Sequence, residues 1–277
     1  MNVTFRLDSP LHHGAFSDAD TGNLSVFRRI PIRIEDVVHD IPAVSGNAIR
    51  GCIRRELMRH LLDETGTTAA TIGPSAYQRL YAALVNGGHL EGSEAAVKPE
   101  ERAALRASLP ALSVLGAALY SYMLAGRCEI GVAWLVCAET RAAGIVGPRP
   151  YVIPSAEDQV REHSHVRHID RDAHDPDASA VTPMPTTMET VITGAELEAR
   201  ITFNRATELE ASALAFGLSR VRFLGGKRAA GFGVVTVDAP DLPSPDIYTA
   251  WLAENREAVK QALSDLAISM IAKKAKK

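Results

Sequence analysis

Glu196–Asp238, "ELEARITFNRATELEASALAFGLSRVRFLGGKRAAGFGVVTVD", is the stretch that decides the fold. Residues 196–206 alternate apolar and polar side chains as a half-buried strand does, and the period lengthens to that of a helix from Glu208 to Leu224. A glycine-rich loop then leads into a second strand, "GFGVVTVD". Glycine accepts positive φ and lets another group approach the main chain, so such a loop can aim several N–H groups at one anion, with Lys227 and Arg228 adding mobile charge. The plainer alternative is a flexible hairpin with solvated cations. "GGKRAAG" fits neither G-x-x-x-x-G-K-[ST] nor a strand-borne G-x-G-x-x-G, so any phosphate here is held in some other way.

Reading outward, the first half of the chain repeats this order. Val3, Phe5 and Leu7 lie on one side of an alternating segment that ends at Pro10. A long polar loop follows. "IPAVSGNAIRGCIRRELMRHLLDE" then reads as a loop ending near Asn47 and a helix whose apolar spacing runs through Ile49, Cys52, Ile53, Leu57, His60 and Leu61. Its other face is basic. "CEIGVAWLVCAET", Cys128–Thr140, is a strand in which Ile130, Val132, Trp134 and Val136 alternate. Strand, helix, strand, twice over, is the split βαβ order of a ferredoxin-like fold, of mixed α/β (α+β) class. Between its parts lie an inserted helical lobe at 62–125, with pieces around "PSAYQRLYAALV" and "PEERAALRASL", and a His- and Pro-rich excursion at 160–190. The core therefore spans 1–245, and 246–277 reads as one amphipathic helix with a basic tail.

Composition narrows the function classes. The 277 residues are 46% hydrophobic with a formal net charge of −3, which suits a globular chain and argues against a polyelectrolyte coated in positive charge, though not against a local basic groove. Three widely spaced cysteines imply reduced thiols, not a disulfide framework. No apolar run is long enough to cross a bilayer and the first residues lack a signal-peptide pattern, so the expectation is a cytoplasmic protein without a membrane partner. No motif asks for a cofactor.

Three features coincide in order: "SPLHHG" after the first strand, the "IPAVSGNAIRGCIRR" joint between loop and helix, and "FLGGKRAAGFG" before the last core strand. Together they resemble the backbone subunit of CRISPR effector complexes, in the RAMP superfamily of RRM-like proteins. The resemblance implies a subunit that binds guide RNA (crRNA), polymerises with copies of itself along it, and presents it for pairing with target DNA or RNA beside other effector subunits. It makes Gly225, Gly226, Lys227 and Arg228 the family's glycine-rich loop and 160–190 its thumb hairpin, with Met184 and Met188 as apolar wedges against displaced bases. Buried packing is the alternative for both methionines.

The cations agree with that reading. Arg50, Arg54, Arg55 and Arg59 recur along the first helix with Glu56 alone among them, and Arg220, Arg222, Lys227 and Arg228 form a second cluster. Ser45 and Asn47 at the helix start are candidate caps and phosphate contacts, and Arg28 lies in a basic pair after the polar loop. Phe27 is placed either to stack on a base or to fill the core.

Some members of the superfamily cut target RNA with an acidic residue in the loop after the first strand. Here that loop places Asn23 at the corresponding position, where an amide neither takes a proton nor holds a metal as a carboxylate does. The expectation is a binding subunit of type I or type IV kind without nuclease activity, and the runner-up is a type III-like RNase using Asp18 or Asp20. Outside the superfamily, "HSHVRHIDRDAHD" invites a histidine-rich metallohydrolase. Arg167 at the position of a ligand Asp, and the lack of any histidine after His174, weigh against that, so no metal is assigned.

Overall fold

The computed structural model describes residues 1–14, 24–91, 98–166 and 185–272. The chain starts with β1 (Asn2–Leu7), whose Val3, Phe5 and Leu7 are buried as the alternation requires. A short β2 (Leu24–Ser25) and a hairpin of β3 (Arg29–Ile34) and β4 (Val37–Val44) precede the long helix α1 (Gly46–Thr65). Next come α2 (Ala69–Ile72), α3 (Pro74–Val85), β5 (Gly88–Leu90), α4 (Pro99–Ser108), α5 (Pro110–Leu115), β6 (Ala117–Tyr120) and β7 (Met123–Leu124). The chain returns to the main sheet with β8 (Cys128–Leu135), then forms α6 (Ala138–Ala142) and the strands β9 (Val160–Val166) and β10 (Pro185–Val191). It closes with β11 (Glu196–Phe203), α7 (Glu208–Ser219), β12 (Val235–Asp238), α8 (Pro245–Glu254) and α9 (Arg256–Ala272).

Six strands form one antiparallel sheet in the order β12-β1-β11-β8-β4-β3. Taking β1, β8, β11 and β12 as the four core strands, the spatial order is fourth, first, third, second, with α1 and α7 as the two crossovers: the ferredoxin-like arrangement. The two helices cross closely at Gly217, where a Cβ would stand 2.9 Å from Cγ2 of Ile53. Leucines of the lobe, among them Leu80, Leu84, Leu112 and Leu115, belong to the same hydrophobic core as the sheet. Apolar burial of this extent is the main term holding such a domain together.

Two expectations need correction. The core face of β8 is Cys128, Ile130, Ala133 and Leu135, set against Phe203, Ile201, Ala199 and Leu197, so Val132 and Trp134 do not continue the phase begun by Ile130. Three steps along β8 match two along β11, and this extra residue at Gly131–Val132 flips the alternation. The last segment is two helices, not one, with Asn255 capping α8 by donating from Nδ2 and its backbone N–H to the carbonyl of Trp251. The arms of the 160–190 excursion are paired as a hairpin requires: β9 and β10 run antiparallel over seven residue pairs, and β2 adds in parallel to β10. All three cysteines are free thiols, and among the described residues no helix is long and apolar enough to cross a membrane.

Candidate nucleic-acid interface

Ser45 caps α1 as expected, its Oγ accepting from the Ala48 amide at 3.3 Å, and Asn47 is exposed in the first turn. The arginines of α1 then divide into two rows. Arg50 donates to the carbonyls of Leu115 (2.8 Å) and Cys128 (2.6 Å). Arg54, 7% exposed, donates to Leu84 (3.3 Å) and Leu115 (3.1 Å). Leu84 and Leu115 lie at the ends of α3 and α5, where carbonyls have no partner within their own helix. Both arginines are therefore internal ties, which overturns their expected place in an RNA groove. Burial, with the charge of Arg50 beside it, lowers the Arg54 guanidinium to a pKa of about 10, so it stays charged at neutral pH.

Arg55 and Arg59 point the other way and are exposed. They share a cleft of about 270 Å³ with Arg220, Arg222 and Arg228, opposed among the described residues by Glu56 alone. Arg228 lies with its Cζ 4.0 Å from the ring centroid of Phe223, and Arg220 sits 5.2 Å from that of Phe216, so aromatic faces help to position both cations. Cys52 also lines the cleft, but burial raises its thiol above the ordinary value despite Arg55, which donates to its Sγ at 3.4 Å. It is no activated nucleophile. The two basic clusters seen in the sequence do meet, through Arg55 and Arg59 in place of Arg50 and Arg54.

The glycine loop answers to a different need from the one expected. Gly225 has φ 69°, and a Cβ there would fall 2.2 Å from the carbonyl oxygen of His12, which accepts from the Gly226 amide at 2.8 Å. The close approach is to the turn after β1, so that N–H is not free for an anion. What the loop presents outward is the exposed pair Lys227 and Arg228.

Phe27 is 1% exposed, edge-on to His12 and His13, which removes it as a base-stacking platform. Arg28 is half-buried beside it, its amide donating to the carbonyl of His13. Met188 is fully buried in β10, against the wedge role implied for it. Glu189, next along β10, accepts from both Nη atoms of Arg29 (2.7 and 3.0 Å) and from the Phe27 amide (2.8 Å). Burial opposes its charge, but these donors hold the carboxyl below its ordinary pKa. His163 on β9 meets Phe232 edge-on at 5.6 Å, so the hairpin packs beside the glycine loop. Asp18, Asp20, Asn23 and Met184 lie outside the described residues, as do His168, Asp170, Asp172 and His174. Among the described residues no three metal-ligating side chains gather.

The sheet face opposite the helices carries an ion-pair cluster. Arg149 donates to Glu196 and Glu198, both at 2.8 Å, and this carboxylate-rich clamp lies across it.

No family model matches the chain, and no curated protein does. Among solved structures, a chain of a Type IV-B CRISPR complex aligns with 91% of this chain and 97% of its own length, at 22% identity and a TM-score of 0.59. The two chains share a fold. That fold is the one expected from the three motifs. A chain of the Type III-B Cmr-beta complex bound to cognate target RNA (10% identity, 88% of this chain, 60% of that one) and Csc2 of Thermofilum pendens (14%, 96% and 80%) superpose at TM-scores of 0.43 and 0.40, too loosely to carry an argument.

Proposed function

We propose that this chain is a guide-RNA-binding backbone subunit of a CRISPR ribonucleoprotein complex, which polymerises along the guide with copies of itself and leaves cleavage to partner subunits. The observation that supports this is the cleft between α1 and the 220–228 segment: among the described residues five arginines face one glutamate in a chain of net charge −3, on a fold shared with a chain of a Type IV-B CRISPR complex. Guanidinium forks suit phosphate oxygens, and a backbone grip of this kind reads no sequence, leaving recognition to pairing between guide and target. Because Asn23 supplies no carboxylate, the assembled protein is expected to leave a complementary RNA strand intact with magnesium or manganese. The test is RNA binding across a salt series for the unmodified chain and for the combined Arg55→Ala, Arg59→Ala and Arg228→Ala variant. Loss of three phosphate contacts flattens the dependence of log K on log salt by about 2, at roughly 0.7 for each contact to a single strand. An unchanged slope in the folded variant removes the cleft from the interface, and target RNA cut by the unmodified chain but spared in an Asp18→Ala, Asp20→Ala variant makes the protein an RNase.

A further inference from the structure

We infer that a second cleft, formed by Arg106, Arg127 and Arg205 before the amino-terminal end of α7, binds phosphate groups of a nucleic-acid backbone. Its volume is about 360 Å³, and Ala125, Gly126 and Asn204 complete the lining. No carboxylate lines it among the described residues. Arg106 is fixed by Nη1 donating to Oγ of Ser113 and Nη2 to the carbonyl of Ala125, both at 2.8 Å. Arg127 is fixed by Nη1, which donates to the carbonyl of Arg205 (2.8 Å) and to Oε2 of Glu210 (3.0 Å). Glu210 is itself committed to the cap of α7, accepting from the Thr207 amide at 2.7 Å. The Asn204 amide donates to the carbonyl of Arg127 at 2.8 Å, and the turn so closed holds Arg205 at φ 53°, a left-handed conformation uncommon for such a residue.

The cleft is consequently rich in donors and poor in acceptors. A guanidinium carries five N–H groups, and the bonds above leave both Nε–H groups, further Nη–H groups and the whole exposed head of Arg205 unspent. Glu210 offsets the charge of Arg127, but among the described residues Arg106 and Arg205 have no carboxylate partner, and an anion with several acceptor oxygens, which describes a phosphodiester, would serve in its place. Burial and the neighbouring charge of Arg127 already hold the Arg106 guanidinium below its ordinary pKa. A protein partner fits less well, because among the described residues Ala125 and Gly126 are the only apolar ones of the lining and offer no socket for the aromatic or aliphatic anchor that protein interfaces use. The first cleft is at the other end of α7, where Arg220 follows Ser219; the helix's 12 residues rise about 18 Å. A strand held at the second cleft is thus a different stretch of backbone, and the inference stands whatever occupies the first.

The experiment uses the full chain and a single-stranded RNA of mixed sequence. Photo-crosslinking followed by peptide mapping should mark residues 204–206. Arg205→Asn, which keeps a side chain tolerant of left-handed backbone, should flatten the salt slope by about 0.7, and by the same amount in an Arg59→Ala background, which separates this cleft from the first. Absence of the cross-link overturns the inference, and so does an unchanged slope. A variant that binds RNA normally but loses affinity for polyglutamate would also overturn it, assigning the cleft to protein carboxylates. The cross-link requires no variant, so it decides the matter even if Arg205→Asn fails to fold.

Discussion

Arg54→Ala and Arg59→Ala stand five residues apart on α1, about 140° around its axis, and should behave as opposites. Truncating Arg54 removes two charge-assisted hydrogen bonds at a site only 7% exposed. Leu115 keeps the Arg50 donor, but Leu84 loses its own, and a buried acceptor left unpaired costs about 1–3 kcal/mol. The void left by the aliphatic stem adds to this. Against it, a buried guanidinium without a carboxylate is no longer held in the interior, a relief in the same direction as the lowering of its pKa by burial. We expect the lost bonds and the void to win, with a net destabilisation of about 2 kcal/mol in urea unfolding. RNA affinity of the folded fraction should not change. Arg59→Ala removes an exposed side chain, so stability should stay within about 0.5 kcal/mol while the salt slope of RNA binding falls by roughly 0.7. If Arg54→Ala unfolds like the unmodified chain yet binds RNA weakly, the division of α1 into inner ties and outer contacts is wrong.

The Glu189 carboxyl is held below its ordinary value in the fold, so its contribution is complete above the unfolded pKa of about 4.5 and is lost as pH falls through the folded one. Melting temperatures measured from pH 6 to pH 3 should therefore fall more steeply for the unmodified chain than for Glu189→Gln, and parallel curves would show that the Arg29 pair contributes nothing. Gly225→Ala must place a Cβ against the His12 carbonyl at positive φ, at a cost of roughly 2 kcal/mol or more, whereas at Gly226 the same carbonyl would be 3.9 Å away and alanine should be tolerated. Thermal unfolding of the two variants checks this, and equal melting temperatures would contradict the contact.

The split βαβ order was legible because its strands and helices bury one face each: Val3, Phe5 and Leu7 keep period two, and Ile49, Ile53 and Leu57 keep the period of a helix. The face of β8 was misread because a bulge resets the alternation, and the only trace of it in the sequence is Gly131, a glycine inside a strand. The division of the arginines on α1 was available and overlooked. Arg50, Arg54, Met58 and Leu62 fall on one i, i+4 row, and a row that turns apolar faces the interior; Arg55, Arg59 and Asp63 fall on another, polar throughout. The ends of α3 and α5, whose carbonyls draw Arg50 and Arg54 inward, are tertiary facts that no local pattern announces. For the same reason the glycine loop looked like an anion nest, since nothing in the sequence places His12 beneath Gly225. Nor does any local signal bring Arg106, Arg127 and Arg205 together, a hundred residues apart along the chain.

The position of β1 between β11 and β12 has a consequence for how the molecule comes into being. Within the sheet β1 pairs with β11 and β12, which follow it late in the chain, and the Met1 nitrogen bonds a carbonyl 200 residues further on. At roughly 5–20 residues per second, on the order of 10–40 s separates the emergence of β1 from that of its partners. During that interval Val3, Phe5 and Leu7 have no sheet to enter. The α1 helix and the lobe can collapse early through local contacts, but the sheet is completed only after β11 and β12 have emerged. A nascent chain stalled before Glu196 therefore displays β1 as an unpaired apolar strand, the kind of segment that chaperones hold and that other stalled copies join.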